Sequence, residues 1–154
     1  AAGKNKLRTA LALMFFLPGV PCIYYGDEAG LQGYKDPFNR RCYPWGQEDK
    51  ELIFYVSELS RIRKSIPNLK DGKIYFVQND GSYIDERITA FTRQGRETDC
   101  IFFINRSAET VTLSGLSGYL DRFGAFEPFC GDYTDDVLTI QPYSYSIVKA
   151  KFMG

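Results

Sequence analysis

The sequence predicts a mixed α and β chain in two unequal parts. A helix, a buried strand, a long loop and a second helix fill residues 1–70, and an antiparallel β-sandwich of about eight short strands fills residues 71–154. Three observations carry this. Apolar residues recur at helical spacing on both sides of a short run rich in β-branched and aromatic residues. After Asp71-Gly72 the texture changes to short apolar runs separated by turn residues. Between the two helical patterns, residues 26–46 show neither period and are dense in Gly, Asp, Pro, Asn and Arg, as a long functional loop is.

The first helix is expected from Asn5, a good capping residue, to Leu17, where Pro18-Gly19 ends it. Its second half (Leu11, Ala12, Leu13, Met14, Phe15, Phe16, Leu17) leaves almost no polar face, so it needs neighbours on nearly all sides. Pro21, Cys22, Ile23, Tyr24 and Tyr25, closed by Gly26, suit a strand buried on both faces, as parallel sheets produce. Leu52, Tyr55, Val56, Leu59, Ile62 and Ile66 then mark one face of a helix opposite Glu51, Glu58, Arg61 and Lys64. Glu48 and Asp49 at its start and Arg61, Arg63 and Lys64 near its end match the helix dipole, and Pro67 stops it.

In the second part, strands are expected near 74–77, 82–85, 87–93, 99–105, 108–113, 124–129, 137–140 and 143–151. Asn79-Asp80-Gly81, Gln94-Gly95-Arg96, Ser114-Gly115 and Gly131-Asp132 supply the turn chemistry between them. Short strands at this cadence argue for a sandwich or barrel.

Composition excludes several functions. The 19 basic and 19 acidic residues cancel, without blocks of like charge, so neither nucleic acid nor a membrane surface is an expected partner. The longest apolar stretch, Leu11 to Leu17, is far short of the roughly 20 residues that span a bilayer. The N-terminus faintly mimics a signal peptide, but past Pro18 it runs into patterned structure instead of a cleavage site. There is no histidine, which rules out a Ser-His-Asp triad, and the four cysteines (Cys22, Cys42, Cys100, Cys130) lack Cys-x-x-Cys spacing, which disfavours zinc. Reduced thiols in a cytoplasmic protein with no cofactor are the plain expectation.

One parallel strand cannot form a sheet, so residues 1–70 need strands from other chains or belong to a larger barrel. The run Pro18-Gly19-Val20-Pro21-Cys22-Ile23-Tyr24-Tyr25-Gly26-Asp27-Glu28-Ala29-Gly30, followed by Gly33, Asp36-Pro37, Arg40 and Trp45, makes the second option concrete. It resembles the eighth strand and following loop of the α-amylase family of glycoside hydrolases, most closely the neopullulanase, cyclomaltodextrinase and maltogenic amylase branch. Ile88 to Arg93, Ile101 to Ser107 and Val137 to Lys149 resemble, by pattern, the family's C-terminal sandwich.

The resemblance implies a mixed fold: the helix-strand-helix tail of a (β/α)8 barrel followed by an antiparallel Greek-key sandwich. It also implies retaining cleavage of α-1,4 and possibly α-1,6 links in maltodextrins or cyclodextrins, with an α-glucan oligosaccharide as the parent enzyme's partner. The family's three catalytic carboxylates would all precede Ala1, so none is expected here and the fragment alone is expected to be inactive. Calcium in the parent stays open. The alternative is a non-catalytic sandwich module that braces the barrel or binds carbohydrate or a partner protein. An isolated fragment would leave barrel-facing surfaces bare, so self-association, or disorder before residue 50, is expected.

Within the loop, Asp27 and Glu28 are adjacent on a strand end and point to opposite faces, which places them poorly to flank one glycosidic bond. They are expected to cap or pair there as structural residues. Asp36 and Arg40 match family positions that bind sugar hydroxyls, a carboxylate accepting and a guanidinium donating, although a local ion pair would use the same residues. Tyr34 and Trp45 offer faces for a sugar ring, or staples for the loop.

Overall fold

The computed structural model describes residues 2–79, 82–120 and 123–152. Helix α1 (Ala2–Phe16) leads into an irregular segment broken by a 3₁₀ turn at Asp27–Ala29. Helix α2 (Lys50–Ser65) and the short helix α3 (Asn68–Asp71) follow. The strands are β1 (Ile74–Phe76), β2 (Gln78–Asn79), β3 (Ser82–Tyr83), β4 (Ile88–Arg93), β5 (Thr98–Asn105), β6 (Val111–Ser114), β7 (Phe123–Cys130), β8 (Asp132–Thr134), β9 (Val137–Ile140) and β10 (Tyr145–Phe152). Helix α4 (Leu116–Tyr119) lies between β6 and β7. The expected turn at Asp80-Gly81 lies outside the described residues.

Among the described residues every strand pairing is antiparallel. One sheet runs β1-β4-β5-β10-β7, a second runs β6-β9-β8, and β2-β3 form a small hairpin. The last strand enters between β5 and β7 while β6, β8 and β9 sit in the other sheet, the interleaving of a Greek key.

The centre of the five-stranded sheet is buried on both faces, and period-2 alternation explains how. Ile101 and Phe103 of β5 face the second sheet, joining Val111, Leu113, Leu138 and Ile140. Cys100, Phe102 and Ile104 face the other way and pack with Leu11, Ala12, Phe15 and Phe16 of α1 and Leu52, Leu59 and Ile62 of α2. Phe16 is fully buried, its ring 4.9 Å from Phe102 and 5.0 Å from Tyr145. The apolar face of α1, expected to lie bare, thus rests on the outer face of the sandwich.

No strand forms at 21–25. A strand exists only as part of a ladder, and no described segment pairs with these residues. The apolar run that suggested a buried strand instead crosses from α1 to the 3₁₀ turn, with Val20 92% exposed and Tyr24 and Tyr25 about half exposed.

Arg93 joins the two parts. Only 1% exposed, it donates from Nε to Gly72 O (3.1 Å), from Nη1 to Phe16 O (2.8 Å) and from Nη2 to Leu69 O (3.3 Å). Arg63 donates to Phe15 O and Gly19 O beside it. Two guanidiniums therefore satisfy the bare carbonyls at the C-terminal end of α1, where positive charge is favoured.

Candidate functional site

The segment from Gly26 to Asp49 is built on one tight turn. Gly26 has φ of 90° and a Cβ there would lie 2.7 Å from Leu31 Cδ2, so only glycine fits. Its carbonyl accepts from Ala29 N (3.0 Å) and Leu31 N (2.9 Å), folding the chain back on itself. Ala29 O accepts from Asp49 N (3.0 Å), which ties the turn to the start of α2. Asp49 then caps α2 by accepting from Leu52 N, while Lys4 Nζ lies 2.7 Å from its other oxygen. The hydrogen bond from Lys4 and that from Leu52 N hold the Asp49 carboxyl below its ordinary range, and the same contact raises Lys4.

Glu28 folds back on this turn, its Oε2 accepting from Gly26 N at 2.9 Å. Asp27 has no ion pair among the described residues and lies at the edge of two clefts, one toward Tyr24 and Tyr34 and one toward Lys4 and Asp49. Neither carboxylate is arranged with the other as an acid and nucleophile pair: one is committed to a backbone N–H and the other looks into open clefts.

Asp36 and Arg40 come together with each other. Arg40 Nε donates to Asp36 Oδ1 at 2.7 Å, and both side chains are well exposed. The pair closes a turn in which Phe38 N bonds Lys35 O and Arg40 N bonds Pro37 O. Arg41 lies apart from this pair, its guanidinium 5.9 Å over the Tyr34 ring, and its carbonyl accepts from Tyr25 Oη at 2.9 Å. Trp45 is 81% exposed, with its ring centroid 4.6 Å from Tyr43. Tyr34 is 70% exposed. The loop therefore carries exposed aromatic faces and a solvent-exposed charged pair, groups of the kinds that recognise neutral polyols.

Sequence reasoning missed Phe38, also well exposed on this turn, and Asn39, whose Oδ1 is buried without a partner. A single Phe or Asn in an aperiodic loop carries no pattern to mark it. A larger cleft, about 640 Å³, lies elsewhere, between residues 67–73 and 94–98. Its lining has several charged groups and no aromatic side chain, so it gives a sugar ring nothing to stack on. Among the described residues no cluster of three or more His, Cys, Asp or Glu side chains is arranged to hold a metal, and no helix is long and apolar enough to cross a membrane.

A helix-flanked loop mounted on an antiparallel sandwich is also found in known proteins. The structure matches that of an α-amylase from Anoxybacillus with a TM-score of 0.75 and 27% identity, over 98% of this chain and 33% of that one. No protein-family model matches the chain. It is 41% identical over 110 residues to an amylopullulanase of Thermoanaerobacterium saccharolyticum, covering 68% of this chain and 9% of the relative. It is 36% identical over 147 residues to a cyclomaltodextrinase of Geobacillus thermopakistaniensis, covering 92% of this chain and 24% of the relative. The chain belongs to the α-amylase family of glycoside hydrolases, and it spans only a minor share of the length of these curated relatives.

Proposed function

We propose that the chain is the barrel-closing and sandwich portion of an enzyme that cleaves α-1,4 and α-1,6 links in maltodextrins or cyclodextrins through a covalent glycosyl intermediate, acting in the cytoplasm. The observation that carries this reading is the loop around Asp36 and Arg40, an exposed ion pair at 2.7 Å in the same loop as the exposed rings of Tyr34 and Trp45. Asp36 and Arg40 bind sugar hydroxyls, and Tyr34 and Trp45 stack on the apolar faces of the rings. Asp27 and Glu28 frame the site. Relatives named amylopullulanase, cyclomaltodextrinase and maltogenic amylase support an α-glucan as the substrate.

Retaining cleavage needs two carboxyl groups about 5 to 5.5 Å apart across the scissile bond. With Glu28 bonded to its own turn and Asp36 to Arg40, that pair comes from outside these residues. The chain alone then binds glucan weakly and cleaves nothing. Incubation with maltotriose or a cyclodextrin releases no new reducing ends, and turnover well above a protein-free blank overturns this reading. The exposed apolar side chains of Val20, Tyr24, Phe38, Trp45 and Phe54 lead the isolated chain to self-associate, and a clean monomer by light scattering counts against that.

One observation favours a second role for residues 71–154. The five-stranded sheet gives one face to the second sheet and the other to α1 and α2, so the sandwich braces the helices and need not bind sugar itself.

A further inference from the structure

We propose that strand β1 is an interface for a second copy of this chain, which pairs antiparallel with it about a two-fold axis at Tyr75 and joins the two five-stranded sheets edge to edge. This interface does not depend on the glucan reading, and it uses none of the apolar side chains named above.

Strand β1 sits at the end of its sheet and pairs only with β4. The ladder shows which backbone groups are left over. Gln94 N donates to Lys73 O (2.9 Å) and Val77 N donates to Ala90 O (3.0 Å). Hydrogen bonding alternates along an antiparallel strand, so Lys73, Tyr75 and Val77 turn their N–H and C=O groups toward β4 while Ile74 and Phe76 turn theirs away. Among the described residues no strand pairs with that outer side of β1. The unpaired groups stand beside open apolar side chains, Tyr75 being 46% exposed and Phe76 59%. An edge of this kind is a template for another strand.

The spacing of these groups makes the edge complementary to itself. In an antiparallel pair centred on Tyr75, Ile74 of each copy lies opposite Phe76 of the other, and the two facing residues exchange both of their N–H and C=O groups. Tyr75 meets Tyr75 of the second copy in the closely spaced pair between these bonds, with Cα atoms about 4.5 Å apart and the side chains on one face. On the other face Phe76, whose ring stands edge-on 6.2 Å from Phe91, comes against Ile74 of the second copy. Lys73 falls opposite Val77, so no like charges oppose each other across the pair. Because β1 is only three residues long, the contact is a reversible one and not a permanent dimer.

Light scattering of the whole chain from micromolar to millimolar concentration should show a reversible dimer. Phe76→Pro removes an outward N–H from each copy while leaving the bonds to β4 in place, and Phe76→Lys sets a charge on the edge. Each should weaken the dimer about tenfold or more with unchanged circular dichroism. The register gives a second readout. In a Cys22→Ser, Cys42→Ser background, Tyr75→Cys should cross-link to itself on mild oxidation with oxidised glutathione, because its Cα separation falls within disulfide reach. Ile74→Cys should cross-link no more than the background, since its counterpart lies about 8 Å away, two residues along the partner strand. An undiminished dimer in both Phe76 variants, or equal cross-linking of Tyr75→Cys and Ile74→Cys, overturns the β1 interface. Loss of that dimer in Val20→Lys, Phe54→Lys would then place self-association on the other apolar side chains. A wild type that stays monomeric at millimolar concentration overturns both modes of association together.

Discussion

Cys100 and Cys130 show how burial alone rewrites the chemistry of a side chain. Cys100 is 2% exposed between the sheet and the helices, and Cys130 is half-buried at the end of β7. Burial, the largest cause in each case, pushes both thiols up to about 11, against an ordinary value near 9. Tyr55 and Tyr145 are raised by burial in the same region. An acid whose folded value lies above its unfolded value stays protonated in the fold after the unfolded chain has released its proton. Between pH 9 and 11 the unfolded state therefore binds fewer protons than the folded one, and stability falls as pH rises. Each thiol contributes a loss on the order of 2 kcal/mol across that window. Urea midpoints measured from pH 8 to 11 should fall steeply for wild type and less steeply for the Cys100→Ala, Cys130→Ala double variant. Equal slopes would show that the thiols titrate alike in the folded and unfolded chain and overturn the burial effect. Cys22 and Cys42 are exposed, so a thiol reagent at pH 8 should reach and label them first.

Turns and strands differ in how far the sequence announces them. Helix α2 was legible because its apolar face, acidic start and Pro67 agree, and its cap at Asp49 lies among the acidic residues expected at its start. Strands β5, β9 and β10 fall close to their expected places, since each carries a dense apolar run between turn residues. The five consecutive buried residues from Cys100 to Ile104 also signal a strand covered on both faces. The segment at 21–25 misled because apolarity reports burial potential, while a strand requires a partner that local pattern cannot supply. Its neighbour Gly26 was legible only as a strand terminator, yet it sets the whole loop. Gly26→Ala forces a Cβ to within 2.7 Å of Leu31 at a φ of 90°. The substitution should cost about 1 to 3 kcal/mol. Hydrogen exchange should show the Leu31 amide losing protection while the amides of α2 keep theirs. Uniform loss across α2 would mean that the turn supports the helix and is not a local device.

The candidate site was legible by residue type but not by arrangement. Asp36, Arg40, Tyr34 and Trp45 stand out as the acid, the guanidinium and two aromatics of a long loop. Their mutual pairing depends on a turn closing, and the solitude of Asn39 Oδ1 depends on everything around it. Least legible was the junction of helices and sandwich. Arg93 ends a strand of buried residues, where a sequence reading has no cause to expect a charge, and it reaches three carbonyls from two helices and the following turn. Burial and the neighbouring Arg63 lower its pKa, against the pull of Asp71, yet a guanidinium remains protonated at any accessible pH. Because α1 and α2 cover one face of the same sheet whose other face closes the sandwich, the helices and strands share a single core boundary. They should therefore unfold together, with Arg93 as the link. Arg93→Met leaves Phe16 O, Leu69 O and Gly72 O without their buried donor and should cost about 3 to 5 kcal/mol. In Arg93→Lys one ammonium reaches part of the set, so that variant should recover part of the loss. Wild type should melt in one step by both far-ultraviolet circular dichroism and tyrosine fluorescence. Arg93→Met should either melt in one step at a lower temperature or release α1 first, with exchange at residues 3–16 rising while β5 and β10 stay protected. Wild-type stability in Arg93→Met would show that packing of Phe15 and Phe16 holds the helices to the sheet without the guanidinium.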